Sequence, residues 1–126
     1  MTRQIIATGD APGSQLYSQG VRIGSTVYVS GMVGVDQATG ALGATIQEQT
    51  RQAIRNGEHV LAAAGCTLED VGLVTVLLAH PSDFAGMNEA YGEVFAKNPP
   101  ARAVARLGPE LPGILVSIRM TAHVEG

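Results

Sequence analysis

Apolar positions along the chain follow the two periodicities of regular secondary structure. Short alternating or continuous apolar runs predict strands, because successive side chains of a strand point to opposite faces. The predicted strands are 4–7, 21–23, 26–30, 71–79, a short strand beginning at Arg102, and 115–123. Apolar residues at helical spacing predict two helices, over 45–64 and 84–96. The order β-β-β-α-β-α-β-β predicts an α/β (α+β) fold, with a mixed sheet and two helices on one face.

Residues between these segments refine the prediction. Gly24-Ser25 is a two-residue hairpin signal, and the glycine-rich segment 32–43 is predicted to be a loop. Ser82 or Asp83 is expected to cap the second helix. The run 71–79 is almost continuously apolar, which is typical of a strand covered on both faces at the centre of a sheet. The sheet face without helices is expected to be partly apolar and to contact other subunits.

The second predicted helix carries one amide in an otherwise apolar stripe. The residues that share this stripe are Phe84, Met87, Asn88, Tyr91, Val94 and Phe95. A buried amide without partners costs about 1–3 kcal/mol. Asn88 is therefore predicted to hold either a neighbouring loop or a ligand.

Length and composition indicate a single domain, 1–126. Charged residues make up only 15% of the chain, which suggests surface hidden in an oligomer, although abundant alanine and glycine also lower that fraction. The net charge is −3 and no run of Lys or Arg occurs, so we expect no nucleic-acid partner.

Cysteine and histidine usage gives no indication of a metal or a disulfide. Cys66 is the only cysteine and is expected to fill space in the core. The three histidines show no ligand spacing, so no metal site is predicted. No apolar stretch is long enough for a signal peptide or a membrane span, and we expect a cytoplasmic protein with no membrane partner.

Arg102 is the strongest candidate for ligand binding. Pro99 and Pro100 give it a stiff, extended lead-in, because each proline fixes its own φ and restricts the residue before it. A guanidinium matches a carboxylate with two parallel hydrogen bonds, which indicates a clamp for a small carboxylate. A surface ion pair or a bridge across an interface is the commoner role of a lone arginine.

Two other segments carry candidate polar groups. The loop 10–18 delivers Tyr17, which serves either as a half-buried anchor or as part of a binding site. In the last strand, alternation places Ser117 and Arg119 on the same face. Arg119 is predicted either to add a second positive group to a ligand cleft or to pair with an acid across an interface.

Several motifs occur in the order typical of a known family. They are Ala11-Pro12, Tyr17-Ser18-Gln19-Gly20, Val27-Tyr28-Val29-Ser30-Gly31, Asn88-Glu89-Ala90-Tyr91 with Phe95, and Pro100-Ala101-Arg102. Each motif is unspecific alone. The ordered set, which runs from Ile5 to His123, resembles the RidA/YjgF family of reactive enamine/imine deaminases.

The resemblance implies a single chorismate-mutase-like domain, assembled as a homotrimer with clefts between subunits. It also implies hydrolysis of reactive 2-imino acids to 2-oxo acids and ammonia, without a metal or an organic cofactor. Arg102 falls at the family's carboxylate-binding arginine. Tyr17, Ser30, Gly31 and Asn88 fall at other cleft-lining positions. The implied partners are a small carboxylate-bearing imine or 2-oxo acid and further copies of the chain.

Departures from the family pattern bear on the chemistry. Many active members carry an acidic residue, thought to hold the attacking water, where this chain has Ser117, and the residue at Arg119 is often acidic as well. Ser117 can hold water by hydrogen bonding but is a poor base at neutral pH. Arg102, Ser117 and Tyr17 are the candidate catalytic residues, and Arg119 joins the candidate substrate-binding residues.

The missing acidic residue leaves a second function open. The alternative is a non-catalytic trimer that binds small carboxylates or regulates a partner. A ribonuclease function, which is attached to some family members, is disfavoured by the chain's acidic balance.

Overall fold

The computed structural model describes residues 2–125, and its elements follow the predicted order. The strands are β1 (Arg3–Ile6), β2 (Gly20–Ile23), β3 (Thr26–Val33), β4 (Val71–Leu78), β5 (Ala101–Arg106) and β6 (Val116–His123). The helices are α1 (Ile46–Ala63) and α2 (Phe84–Phe95), and short 3₁₀ turns span Leu68–Asp70 and Pro81–Asp83.

All six strands form one sheet in the order β1-β2-β3-β6-β4-β5. Neighbouring strands are antiparallel, except for β4 and β5, which are parallel. A parallel pair needs a crossover between its two strands, and α2 supplies it. The predicted mixed sheet with two helices is confirmed.

The core lies between the sheet and α1, which packs on β3 and β6 and against α2. Thr45 caps α1 by accepting the Glu48 N–H at 3.1 Å, and Gly65, with φ +81°, lies just beyond its end. Cys66 is buried in this core, and burial raises the pKa of its thiol, so the thiol stays protonated at neutral pH.

Two predictions about the strands are wrong. In β4, Val74 and Val76 are fully buried whereas Leu73 is 43% exposed, so this strand is covered on one face in the single chain. The segment predicted to be a loop from residue 32 begins later, because β3 continues to Val33. Strand β3 continues past a bulge at Ser30 and Gly31, where its pairing with β6 shifts register.

The start and the buried face of α2 also differ from the prediction. The 3₁₀ turn Pro81–Asp83 leads directly into α2, and neither Ser82 nor Asp83 makes a side-chain cap. The buried residues of α2 are Met87, Ala90, Tyr91 and Phe95. Phe84 is instead exposed at the helix start, where its ring lies beside the Arg102 guanidinium.

The sheet face opposite the helices is here called the open face. Exposed apolar side chains on it include Ile5, Tyr28 and Leu73. Their exposure matches the predicted partly apolar face. Within residues 2–125, neither helix is long and apolar enough to cross a membrane.

Candidate functional site

Arg102 lies on the edge strand β5 and is held by side chains of α2. It pairs with the core residue Val74, so its side chain leaves the sheet on the helix side. One guanidinium nitrogen, Nη1, donates a hydrogen bond of 2.7 Å to Asn88 Oδ1. The guanidinium carbon lies 4.8 Å from the ring centroid of Tyr91 and 5.8 Å from that of Phe84. The charge is therefore fixed in place by one amide and two aromatic rings.

The spacing of the three α2 residues explains this arrangement. Phe84, Asn88 and Tyr91 are four and three residues apart, so they occupy one face of the helix. Within residues 2–125 no carboxylate lies within ion-pair distance of Arg102, since the single ion pair found there joins Arg51 to Glu93. The remaining guanidinium donors thus face solvent, where an anion can reach them.

Tyr91 is an unusual member of this group because its hydroxyl is buried and has no hydrogen-bond partner in the described part of the chain. Burial raises the pKa of that hydroxyl, and the charge of Arg102 partly opposes the rise. The hydroxyl therefore stays neutral at physiological pH. A cavity of about 230 Å³ beside the ring is lined by Tyr91, Phe95, Pro99, Pro100 and Arg102, among others.

Tyr17 is positioned by a loop that Gln19 organises. Gln19 is buried, and its Nε2 donates to the carbonyls of Thr8, Ala11 and Pro12 at 2.9–3.1 Å. The loop is attached to the β3 bulge, because Ser30 Oγ donates to the Ser18 carbonyl at 2.6 Å. A groove of about 570 Å³ runs along this loop and β1 and includes Tyr17 in its wall.

Gly31 and Ser117 touch across β3 and β6. A Cβ atom at position 31 would lie 2.5 Å from Ser117 Oγ, so a side chain there would displace the Ser117 hydroxyl. Ser117 pairs with Val33 on one side and Leu77 on the other, and it is only 9% exposed. Its hydroxyl therefore lies against the bulge on the open face.

The predicted site residues form two separate groups in the single chain. We call Arg102, Asn88, Tyr91 and Phe84 the arginine group, and Tyr17, Ser30, Gly31 and Ser117 the bulge group. The arginine group lies on the helix side of the edge strand, whereas Ser117 belongs to the open face near the centre of the sheet. Contacts join the arginine group, and Gly31 meets Ser117 within the bulge group, whereas Tyr17 is linked to that group only through the Ser18 carbonyl. No contact joins the two groups among residues 2–125. Arg119 lies two residues beyond Ser117 on the open face.

Sequence reasoning missed the roles of three residues. Phe84 and Tyr91 share the predicted stripe of Asn88, and that shared face was the signal that they contact the same partner, Arg102. Gln19 was part of a motif but had no assigned role. Within residues 2–125, no three His, Cys, Asp or Glu side chains come together as a metal site would require.

Comparison with known proteins assigns the family. The family model described as Endoribonuclease L-PSP matches residues 8–124, so the chain belongs to this family, which is the RidA/YjgF family that the motifs indicated. Human 2-iminobutanoate/2-iminopropanoate deaminase is 38% identical over 124 residues, which cover 97% of this chain and 90% of the human protein.

Solved structures give the same result for the fold. RidA from an Antarctic Psychrobacter is 35% identical, with a TM-score of 0.89 over 96% of this chain and 99% of that one. TdcF from E. coli, solved with bound serine, is 32% identical, with a TM-score of 0.90 over 97% of this chain and 99% of that one. The six-stranded sheet with two helices is thus the fold of these proteins.

Proposed function

We propose that this protein hydrolyses reactive 2-imino acids to 2-oxo acids and ammonia, in clefts formed between copies of the chain. The observation that carries the proposal is the Arg102 guanidinium, which Asn88 and Tyr91 fix in place while no carboxylate within residues 2–125 neutralises it. The activity named for the human relative supports imines as the substrates.

In the proposed reaction, Arg102 binds the substrate carboxylate through two parallel hydrogen bonds. Water adds to C2 of the protonated imine, one of its protons passes to the nitrogen, and the other is released to solvent. The C–N bond then breaks, ammonia leaves with the bonding electron pair, and C2 keeps the oxygen as a carbonyl. The Ser117 hydroxyl orients the water. A protonated imine is already electrophilic, so the main requirement for catalysis is to position the substrate and the water. Positioning can lower a reaction barrier by several kcal/mol.

The separation of the two groups is the reason for placing the cleft between copies. Arg102 and Ser117 leave the sheet on opposite sides, so one chain does not bring a substrate held by Arg102 to Ser117. The exposed Tyr28 and Leu73 of the open face favour association with another copy. We propose a homotrimer in which the arginine group of one copy faces the bulge group of the next.

Turnover is tested by ammonia release from 2-aminoacrylate and 2-iminobutanoate that a dehydratase generates in the assay. We expect the wild-type protein to accelerate release beyond the spontaneous rate. Ser117→Glu adds a carboxylate that can accept a proton from water and should raise the rate further, by about 10²-fold at most. If wild type and Ser117→Glu both leave the spontaneous rate unchanged, the protein is not an imine deaminase.

Shared clefts are tested by mixing two inactive variants. Arg102→Ala removes the carboxylate site, and Gly31→Val fills the space beside Ser117. If each cleft uses two copies, every trimer that contains both variants retains one intact cleft, and trimers of a single variant retain none. About a quarter of all clefts should therefore be active in a random equimolar mixture. Co-expression followed by the ammonia assay measures this recovery, and the separate variants are the controls. No recovery would place the whole site within one chain.

A non-catalytic carboxylate-binding trimer is the second candidate. The observation that favours it is that no strand contains Asp or Glu, so neither β3 nor β6 supplies a carboxylate to the bulge group. Binding of 2-oxo acids by wild type, with turnover only in Ser117→Glu, would select this function.

A further inference from the structure

The charges of the molecule are divided between the sheet and the rest of the chain. Five of the seven arginines lie on strands: Arg3, Arg22, Arg102, Arg106 and Arg119. None of the eleven acidic residues does. The formal charges of the sheet are therefore all positive. Arg3 and Arg119 lie on the open face and the other three arginines on the helix side, so an anion at either face meets no opposing carboxylate from the strands.

Arg119 occupies the centre of the open face. It lies on β6, which has β3 on one side and β4 on the other. The register of β3 moves from Val29 opposite Met120 to Met32 opposite Ile118, so the Ser30–Gly31 bulge lies opposite Arg119. Ser117 is two residues away on the same face, about 7 Å along the strand. Arg119 therefore borders the bulge group.

The guanidinium of Arg119 has little to bind within its own chain. Its one hydrogen bond among residues 2–125 is a long one of 3.4 Å from Nη2 to Thr75 Oγ1, and its side chain is exposed. The neighbouring positions of the open face are uncharged: Tyr28, Leu73, Thr75, Leu77, Ser117 and Thr121. Covering a guanidinium with another copy of the chain costs free energy unless an anion accompanies it.

We propose that Arg119 binds a second carboxylate of the substrate, so that the preferred substrates are 2-imino dicarboxylic acids. This inference rests on the proposed function, because it places the bulge group and Arg119 of one copy opposite Arg102 of the next. Arg102 binds the carboxylate next to the reacting carbon, and Arg119 binds the carboxylate at the far end of the substrate side chain.

Binding of stable 2-oxo acids, measured by calorimetry, tests the proposal. The informative pair is 2-oxoglutarate and 2-oxopentanoate, which have the same chain length and differ in the distal carboxylate. We expect wild type to bind 2-oxoglutarate roughly ten- to a hundredfold more tightly, as a charged hydrogen-bonded contact implies. Arg119→Met should abolish this difference and leave 2-oxopentanoate binding unchanged. Arg3→Met, which removes an open-face arginine at the sheet edge, is the matched control and should preserve the difference.

The remaining outcomes are each decisive. If wild type binds the two ligands with equal affinity and Arg102→Ala loses binding of both, the dicarboxylate inference is overturned and the proposed function stands. No binding of either ligand overturns both. An equal loss of both ligands in Arg119→Met, or dissociation of its oligomer in light scattering, makes Arg119 an interface residue and overturns the inference.

Discussion

Replacing Arg102 by alanine should lower the affinity for 2-oxo acids about a hundredfold or more without unfolding the protein. Each charged hydrogen bond contributes about 1.5–3 kcal/mol, and the clamp forms two of them, so the expected loss is about 3 kcal/mol or more. Arg102 is exposed on the edge strand β5, and its removal opens no cavity in the core. Calorimetry with 2-oxobutanoate measures the affinity, and thermal unfolding checks the fold.

Two further variants separate charge from geometry in the clamp. Arg102→Lys keeps the charge but loses the planar fork, and we expect about a tenfold loss because one hydrogen bond of the pair is missing. Arg106→Ala is the matched control, since Arg106 is exposed on the same strand and lines a different cavity. Unchanged affinity in Arg102→Ala, or an equal loss in Arg106→Ala, would refute Arg102 as the carboxylate site.

Replacing Gln49 by methionine should lower the free energy of unfolding by about 3 kcal/mol. Gln49 is 2% exposed and donates from Nε2 to the carbonyls of Gly43 and Gly113, both at 2.9 Å. Its Oε1 accepts the Leu115 N–H at 2.8 Å. Methionine has a similar shape but makes none of these three bonds, which contribute about 1 kcal/mol each.

Urea unfolding at one fixed protein concentration measures this loss, because association contributes to the stability of an oligomer. Gln47→Met is the control, since Gln47 is half-buried on the same helix and its side chain makes no hydrogen bond among residues 2–125. We expect the control to change stability by no more than about 0.5 kcal/mol. Equal effects of the two substitutions would show that the Gln49 bonds add nothing specific.

Periodicity predicted the fold well where burial is one-sided. In β6, Val116, Ile118 and Met120 are buried while Arg119 is exposed, as alternation requires. It failed for β4, because a continuously apolar run does not distinguish a face covered by helices from one exposed for contact with another copy. Leu73 is such a residue: its apolar side chain predicts burial, but it is exposed in the single chain.

The candidate site was predictable residue by residue but not as an arrangement. The Pro-Pro lead-in and the chemistry of guanidinium single out Arg102. Asn88 is predicted to hold a neighbouring loop or a ligand, and in the structure it accepts a hydrogen bond from Arg102 of strand β5 instead. The tight contact between Gly31 and Ser117 depends on which strands are neighbours, and nothing local in the sequence fixes that order. The separation of the two groups also depends on the assembled sheet, because it is set by the face on which each strand presents its side chains.

The sequence separations within the two groups have a consequence for the order in which they form during synthesis. Arg102 and Asn88 are 14 residues apart within one β-α-β unit, so their contact needs little loop closure. Ser117 and Gly31 lie on β6 and β3, which are separated by most of the chain, and β6 is synthesised after the other five strands of the sheet. The arginine group can therefore form on the nascent chain, whereas the bulge group forms only after β6 has entered the middle of the sheet.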